Sequence, residues 1–364
     1  MIKSVLQGRF SHRVCSLATL LRSSASVLAR RAIGRPLVPE WTLAFEIGTL
    51  FLRHQFTHAF ALGEITESRA YFDSLYFVLD SDLDVEIRPG NAGEPRGDWF
   101  IPRNCSSDAA MLYFHGGGYV FYAEVSRHSI AMLAQTLGVA IFAPDYRLTP
   151  EHPHPAQIDD ALEAYRSLLR QGIKPGQLLV GGDSAGGHLA LMTLVKIREA
   201  QLPQPALAIA LSPWTDVGRP VSSNACYDIV QGYQALKFEQ WLKGGREFTG
   251  VELSPICQDF RGLAPIYLQA GGKEVLVDMI RDFAEALKAQ DARVRLDVWE
   301  HMTHEFHAYG NHLQESREAL QRIREAIAWS TQSNGEKAFA SSSRTEVDNL
   351  IPASGSAEPQ PGRK

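Results

Sequence analysis

The chain has 364 residues, 45% of them hydrophobic and 21% charged, with a formal net charge of −5, an ordinary composition for a globular domain. The acidic balance argues against nucleic acid as the main partner, because phosphate binding needs a basic surface, and no apolar run reaches the roughly 20 residues of an integral membrane span. The four cysteines, Cys15, Cys105, Cys226 and Cys257, are far apart and form no C-x-x-C pair, which argues against a disulfide framework or a zinc site and suits thiols in a reducing, cytoplasmic compartment.

Residues 1–39 contain no acidic side chain, whereas Lys3, Arg9, Arg13, Arg22, Arg30, Arg31 and Arg35 are basic. Such an Arg- and Ser-rich, acid-poor stretch has two readings. It is either an organellar targeting segment or a helical lid with its basic face in water and an apolar face of the type Leu17, Leu20, Leu21, Val27, Leu28 turned inward. The second is adopted here, so residues 1–70 are taken as an N-terminal basic segment and lid. Within them, Leu43, Phe45, Leu50, Phe51 and Phe56 recur at helical intervals over residues 41–62.

From residue 71 to 104 short apolar runs alternate with turn residues, which predicts strands joined by tight connections. The rhythm then changes to solid apolar runs at residues 109–114, 139–143, 178–180, 206–211 and 266–270, with helical segments such as 156–169 and 185–200 between them. Strands covered on both faces lose the alternating pattern, so these runs predict a mostly parallel sheet with helices on both sides, spanning 71–331 as one α/β core. Residues 214–249 break the β/α beat and carry aromatics among polar residues, as expected of an insertion forming part of a lid. A last helix is predicted over 314–330. Residues 332–364 are rich in Ser, Gly, Pro and charge, and read as a disordered tail.

The chemistry concentrates at three places. Gly182-Asp183-Ser184-Ala185-Gly186 is a G-x-S-x-G placed directly after an apolar strand and before a helix, where a sharp, strained turn lifts the Ser184 hydroxyl above the sheet. His115-Gly116-Gly117-Gly118 follows an earlier strand. Backbone amides there can meet the negative charge that develops on a carbonyl oxygen in acyl transfer, and losing one such donor typically costs about 3–4 kcal/mol. Gly116 and Gly117 are the expected donors, with the amide of Ala185 after the nucleophile. The glycines lack the Lys-Ser/Thr or G-x-G-x-x-G context of a phosphate loop.

A serine hydroxyl needs a base to take its proton. Of the later histidines, His188 lies in the helix after the turn and should point away, while His304 follows the last predicted strand in a loop that can reach back over the sheet. His301, His304 and His307 do not have the spacing of a helical metal motif, so no metal or other cofactor is expected. The acid that holds the imidazole must follow the strand at 266–270, where Glu274 and Asp278 both qualify. Tyr119, Phe121 and Tyr122 come directly after the glycines, and Tyr119, Tyr122 and Trp214 are expected to line a substrate pocket.

These residues together resemble the hormone-sensitive-lipase-like esterases of the α/β-hydrolase fold, a group that includes arylacetamide deacetylases. The resemblance covers roughly residues 113–309 and rests on His115-Gly116-Gly117-Gly118, Tyr146-Arg147-Leu148-Thr149-Pro150-Glu151, Gly182-Asp183-Ser184-Ala185-Gly186-Gly187 and Ser212-Pro213-Trp214-Thr215-Asp216. It implies that Glu274, opening Glu274-Val275-Leu276-Val277-Asp278, is the triad acid, with His304 in an H-x-F context. Arg147 and Glu151 are expected to hold the oxyanion loop. It also implies cleavage of small carboxylic esters through an acyl-serine, a helical lid, and no cofactor. Lactone, amide or formamide hydrolysis by the same triad, and a non-catalytic small-molecule receptor on the same fold, are the alternatives; homodimer formation stays open.

Overall fold

The solid apolar runs form the centre of one eight-stranded sheet in the computed structural model, which describes residues 3–78, 82–91, 93–105, 108–221 and 223–332. The segment read as a disordered tail lies outside the described residues except for the end of the last helix. The chain opens with β1 (Lys3–Leu6), α1 (Phe10–Ala32), α2 (Leu43–Ala61), α3 (Ile65–Phe72) and β2 (Leu75–Val78), and β1 and β2 pair antiparallel apart from the main sheet. The sheet is then built from β3 (Val85–Pro89), β4 (Gly97–Pro102), β5 (Ala110–Phe114), β6 (Ala140–Pro144), β7 (Leu178–Asp183), β8 (Leu207–Leu211), β9 (Ile266–Gly271) and β10 (Val294–Trp299).

Across the sheet the order is β10-β9-β8-β7-β5-β6-β4-β3. β4 runs antiparallel to both β3 and β6, and the other neighbours are parallel. β5, β8 and β9 are buried along their whole length, which is why their sequence shows no polar alternation. On one face, Met111, Tyr113, Ile141, Leu179 and Ile209 pack against α4 (Glu124–Leu137) and α10 (Gln314–Gln332) through residues such as Ile130, Leu133, Leu320 and Ile323. On the other, Leu112, Phe114, Phe142, Val180 and Leu268 pack against α5 (Ala156–Arg170), α6 (Ala185–Glu199) and α9 (Val277–Ala289) through Ile158, Leu168, Leu189, Leu194 and Phe283. Parallel strands connected through such helices leave their carboxyl ends, and the loops after them, free to assemble a site.

Two segments approach that edge from outside the sheet. The first is the N-terminal helical region. The chain after α1 docks Val38, Trp41 and Phe45 onto Met302, Phe306 and Leu313, and the Trp41 indole donates to the carbonyl of His301. Within α1 only Val27 of the residues expected to turn inward is buried. His12, Ser16, Ser23 and Val27 face inward, while Phe10, Val14, Leu17, Leu21 and Leu28 are exposed. An amphipathic pattern predicts two faces but not which one packs, and here α2 offers polar partners: Gln55 Nε2 donates to Ser16 Oγ at 3.0 Å, and Ser23 Oγ lies 2.9 Å from His54 Nδ1.

The second segment lies between β8 and β9 and contains α7 (Gly232–Lys243) and the short α8 (Gly250–Leu253). α7 is capped by Gln231 and Gln234, with the Gln231 amide donating to Gln234 Oε1 at 2.9 Å. It buries Phe238 and Leu242. Arg53 of α2 donates to the carbonyls of Ala225 and Asp228, the latter at 2.8 Å, which ties the two outer segments to each other.

Candidate active site

Ser184 follows β7 and caps α6 with φ 53° and ψ −117°, a conformation that is costly for a residue with a side chain and is held by its surroundings. The surroundings are tight: a Cβ on Gly186 would lie 1.9 Å from the carbonyl oxygen of Phe114, so only glycine lets α6 start this close to β5. The loop after β10 brings His304 Nε2 to 2.9 Å from Ser184 Oγ, across 120 residues of sequence. His304 is almost fully buried.

Of the two candidate acids, the loop after β9 turns Glu274 inward and leaves Asp278 on the surface. Glu274 Oε2 lies 3.8 Å from His304 Nδ1 and accepts hydrogen bonds from Ser212 Oγ at 2.6 Å and from the Gly271 amide at 3.1 Å. Asp278 instead accepts from Ser223 Oγ at 2.8 Å. The 3.8 Å separation is an ion-pair contact, longer than a hydrogen bond. Both Glu274 Oε1 and His304 Nδ1 are buried without a hydrogen-bond partner.

Two further carboxylates, absent from the sequence reading, crowd this imidazole. Asp228, in the segment before α7, is fully buried. Its Oδ1 accepts from the amides of His304 (3.0 Å) and Ile229 (2.8 Å), and its Oδ2 from the amide of Val275 (2.6 Å). One side chain therefore fastens the loop of His304 to the loop of Glu274. Glu305 Oε1 lies 3.5 Å from His304 Nε2, and Glu305 also interacts with Asp183, half-buried like itself. Burial pushes Asp228 up to about 6, with His304 pulling the other way, and burial together with the nearby Asp183 charge pushes Glu305 up to about 8. Burial by itself would lower His304, but Glu274, Glu305 and Asp228 outweigh it and hold the imidazole well above the ordinary 6.5.

The glycine loop corrects one expectation. The amide of Gly116 is not free for a substrate oxygen: it donates to Asp183 Oδ2 at 2.9 Å, and Tyr113 Oη donates to Asp183 Oδ1 at 2.7 Å. Gly117 and Gly118, with Ala185 and Ser184, line the cavity beside the hydroxyl. Gly117 sits at φ 100°, where a side chain would be strained. Of the triplet, Gly117 and Gly118 therefore line the cavity together with Ala185, while Gly116, one of the two expected donors, does not.

The cavity has a volume of about 140 Å³ and is lined mainly by apolar side chains, among them Leu52, Phe56, Phe72, Phe121, Trp214, Ile229, Val230 and Phe238. Of the three aromatics expected at a pocket, Trp214 lines this cavity, whereas Tyr119 and Tyr122 do not. Tyr119 turns away at φ 66°, and its hydroxyl lies 2.5 Å from Nδ1 of His188, whose Nε2–H donates to the carbonyl of Leu253 at 2.5 Å. Tyr122 stacks on His115 with ring centroids 3.9 Å apart, and Tyr146 stacks on His115 at 4.3 Å. These aromatics brace the glycine loop from behind.

Glu151 and Arg147 also divide differently from the sequence reading. Glu151 accepts from Arg69 of α3, whose Nε reaches the carbonyl of Val120 at 2.7 Å, so the glycine loop is held through Arg69. Arg147 makes its bidentate pair with Asp160 of α5. The three neighbouring histidines do not converge: His301 lies at the surface near Glu40, and His307 is buried with its imidazole pushed down to about 3 by burial and by His304.

A family model described as alpha/beta hydrolase fold matches residues 111–308. The chain is 35% identical over 247 residues to an acetyl-hydrolase of Streptomyces hygroscopicus, covering 64% of this chain and 82% of that protein. It is 30% identical over 264 residues to an esterase of Acinetobacter venetianus, covering 71% and 86%. Among solved structures, an esterase from the bacterial hormone-sensitive lipase family superposes with a TM-score of 0.66 at 27% identity, covering 89% of this chain and 99% of the other.

Proposed function

The chain belongs to the α/β-hydrolase fold family, and from that premise we propose that it is a serine hydrolase that cleaves small carboxylic esters through an acyl-Ser184 intermediate. The observation that carries the reading is the 2.9 Å contact between His304 Nε2 and a Ser184 hydroxyl held at a strained strand-to-helix turn. Ser184 Oγ attacks the ester carbonyl carbon as its proton passes to His304 Nε2. The amides of Gly117, Gly118 and Ala185 receive the developing oxyanion. Collapse breaks the bond to the alkoxy group, which takes the proton from Nε2 and leaves as the alcohol. Water, deprotonated by the same nitrogen, then attacks the acyl-serine and releases the acid. Glu274 stabilises the imidazolium formed in both halves.

The N-terminal helices and the segment at 214–249 act as the lid of this site in our reading. The support is that Leu52, Phe56 and Phe72 come from the first, and Trp214, Ile229, Val230 and Phe238 from the second, and all line the cavity. Cys15, Cys105, Cys226 and Cys257 form no disulfide with one another, which supports the cytoplasmic setting, and no helix among the described residues is long and apolar enough to cross a membrane.

The substrate class is tested with a series of p-nitrophenyl esters. A cavity of about 140 Å³ is close to the size of an apolar cavity of roughly 150 Å³ that admits benzene, and each buried methylene adds about 0.8 kcal/mol until the space is full. Activity is expected to rise to about C4–C6 and then drop. A maximum at C12 or longer contradicts a small closed pocket.

The pH profile tests the charge around His304. The base works only when neutral, so kcat/KM falls as pH drops through the pKa of the imidazole. Because carboxylates hold that pKa above 6.5, the acid limb should lie on the alkaline side of an ordinary histidine. Asp228→Asn removes one of those charges and should move the limb to lower pH by on the order of one unit. It also leaves the Val275 amide facing an amide donor, with a loss of about 1–3 kcal/mol of stability by thermal unfolding. An unshifted limb in Asp228→Asn would show that this carboxylate does not act on the base.

A further inference from the structure

α1 presents an apolar stripe to water. Phe10, Val14, Leu17, Leu21 and Leu28 are 77%, 48%, 39%, 70% and 53% exposed. Their spacing of four, three, four and seven residues puts them on one side of a helix with 3.6 residues per turn. The opposite side is the one that packs on the protein, and three of its four buried residues are polar. Among the described residues nothing covers the stripe.

The charge of this segment is as one-sided as its hydrophobicity. Residues 1–39 carry seven basic side chains and no acidic one, in a chain whose net charge is −5. Arg9 and Arg31 are paired with Glu67 and Glu46. Arg22 and Arg30 lie exposed on α1 and make no ion pair among the described residues. Arg13, Arg22, Arg30 and Arg31 within the 23-residue helix are too many charges for a helix that crosses a bilayer. Arg13 and Arg22 flank the stripe, one on either side, while Arg31 is held by Glu46 and Arg30 lies on the far side of the helix, so the stripe has the basic border of a helix lying in the plane of the head groups.

We propose that α1 docks the protein flat onto an anionic lipid surface, its Phe10–Leu28 stripe among the head groups and its arginines on the lipid phosphates. The charge selects lipid over a second copy of the chain. Two α1 stripes meeting around a two-fold axis would set arginines against arginines with no acidic residue on the helix to offset them. An anionic membrane supplies that missing charge, at a benefit of about fivefold in affinity for each basic residue at the surface. α1 packs on α2, which contributes Thr49, Leu52 and Phe56 to the cavity lining, so the docked helix is one layer away from the substrate site. The inference does not depend on the assignment of catalytic roles.

The test is co-sedimentation of the full-length protein with phosphatidylcholine vesicles and with vesicles of equal parts phosphatidylcholine and phosphatidylglycerol, over a range of salt. Binding is expected to the mixed vesicles and not to the neutral ones, and to weaken as salt rises. Arg13→Gln with Arg22→Gln should lower the binding constant about 30-fold. Leu17→Asp with Leu21→Asp should lower it at least about 100-fold, while both variants keep wild-type turnover of p-nitrophenyl acetate. Should the Leu17/Leu21 variant fail to fold, the arginine pair and the salt series decide. Absence of binding to either vesicle overturns the proposal, as does equal binding to both. So does a dimer in sedimentation equilibrium that the Leu17/Leu21 variant converts to monomer without any vesicle binding.

Discussion

Ser184→Ala should lower kcat on p-nitrophenyl butyrate by about 10⁴–10⁶ and leave the fold intact. The substitution removes only Oγ, whose partner is His304 Nε2 at 2.9 Å, and the alanine keeps the same Cβ at the same strained backbone, so the turn is not asked to change. His304→Ala should be equally damaging, because a hydroxyl without its base is a poor nucleophile at neutral pH. The double variant should be no worse than either single one, since the two groups act as a unit. His301→Ala, at the surface beside Glu40, should retain most activity. Steady-state kinetics with circular dichroism as the folding control checks all four. Retention of a tenth of wild-type turnover by Ser184→Ala or His304→Ala contradicts the assignment.

Glu274→Gln should lower kcat by about 10³–10⁴, the usual scale for losing the triad acid with its shape preserved. The carboxylate is buried beneath the imidazole, its Oε2 3.8 Å from Nδ1 and held there by Ser212 and Gly271. Gln keeps the volume but removes the charge that stabilises the imidazolium, and it can turn an amide donor toward Nδ1–H. Asp228 remains near the ring and supplies part of the lost field, which places the expected effect toward the lower end. Asp278→Asn, which alters only an exposed contact to Ser223, should be near wild type. Similar losses in the two variants would contradict the placement of Glu274 as the acid.

The parts of this site that were legible in the sequence are those whose physics is local. A strand buried on both faces must be apolar throughout, so β5, β7, β8 and β9 stood out as solid runs. The turn at Ser184 needs small residues packed at fixed spacing, so Gly182 and Gly186 marked it. What stayed hidden depends on contacts between distant segments. Three adjacent glycines look alike in sequence, and only Asp183 reaching Gly116 decides which amides remain for a substrate. Asp228 lies in a stretch without a motif, and its partners are backbone amides at Ile229, Val275 and His304, which leave no mark on residue type. Tyr119 and Tyr122 follow the glycines directly, yet the positive φ at Tyr119 sends them behind the loop. Arg69 in α3 reaches the loop from a helix too short and too mixed in pattern to be foreseen. For α1 the two faces were readable but their orientation was not, because that depends on the polar side chains α2 presents.

The mechanism requires Ser184 to be an activated nucleophile. It is tested most directly by treating the protein with a fluorophosphonate, which reacts with activated serines, and locating the adduct by peptide mass spectrometry. One phosphonyl group per chain is expected, attached to Ser184, absent in Ser184→Ala and formed far more slowly in His304→Ala. An adduct on another residue, no adduct, or undiminished labelling in His304→Ala would contradict it.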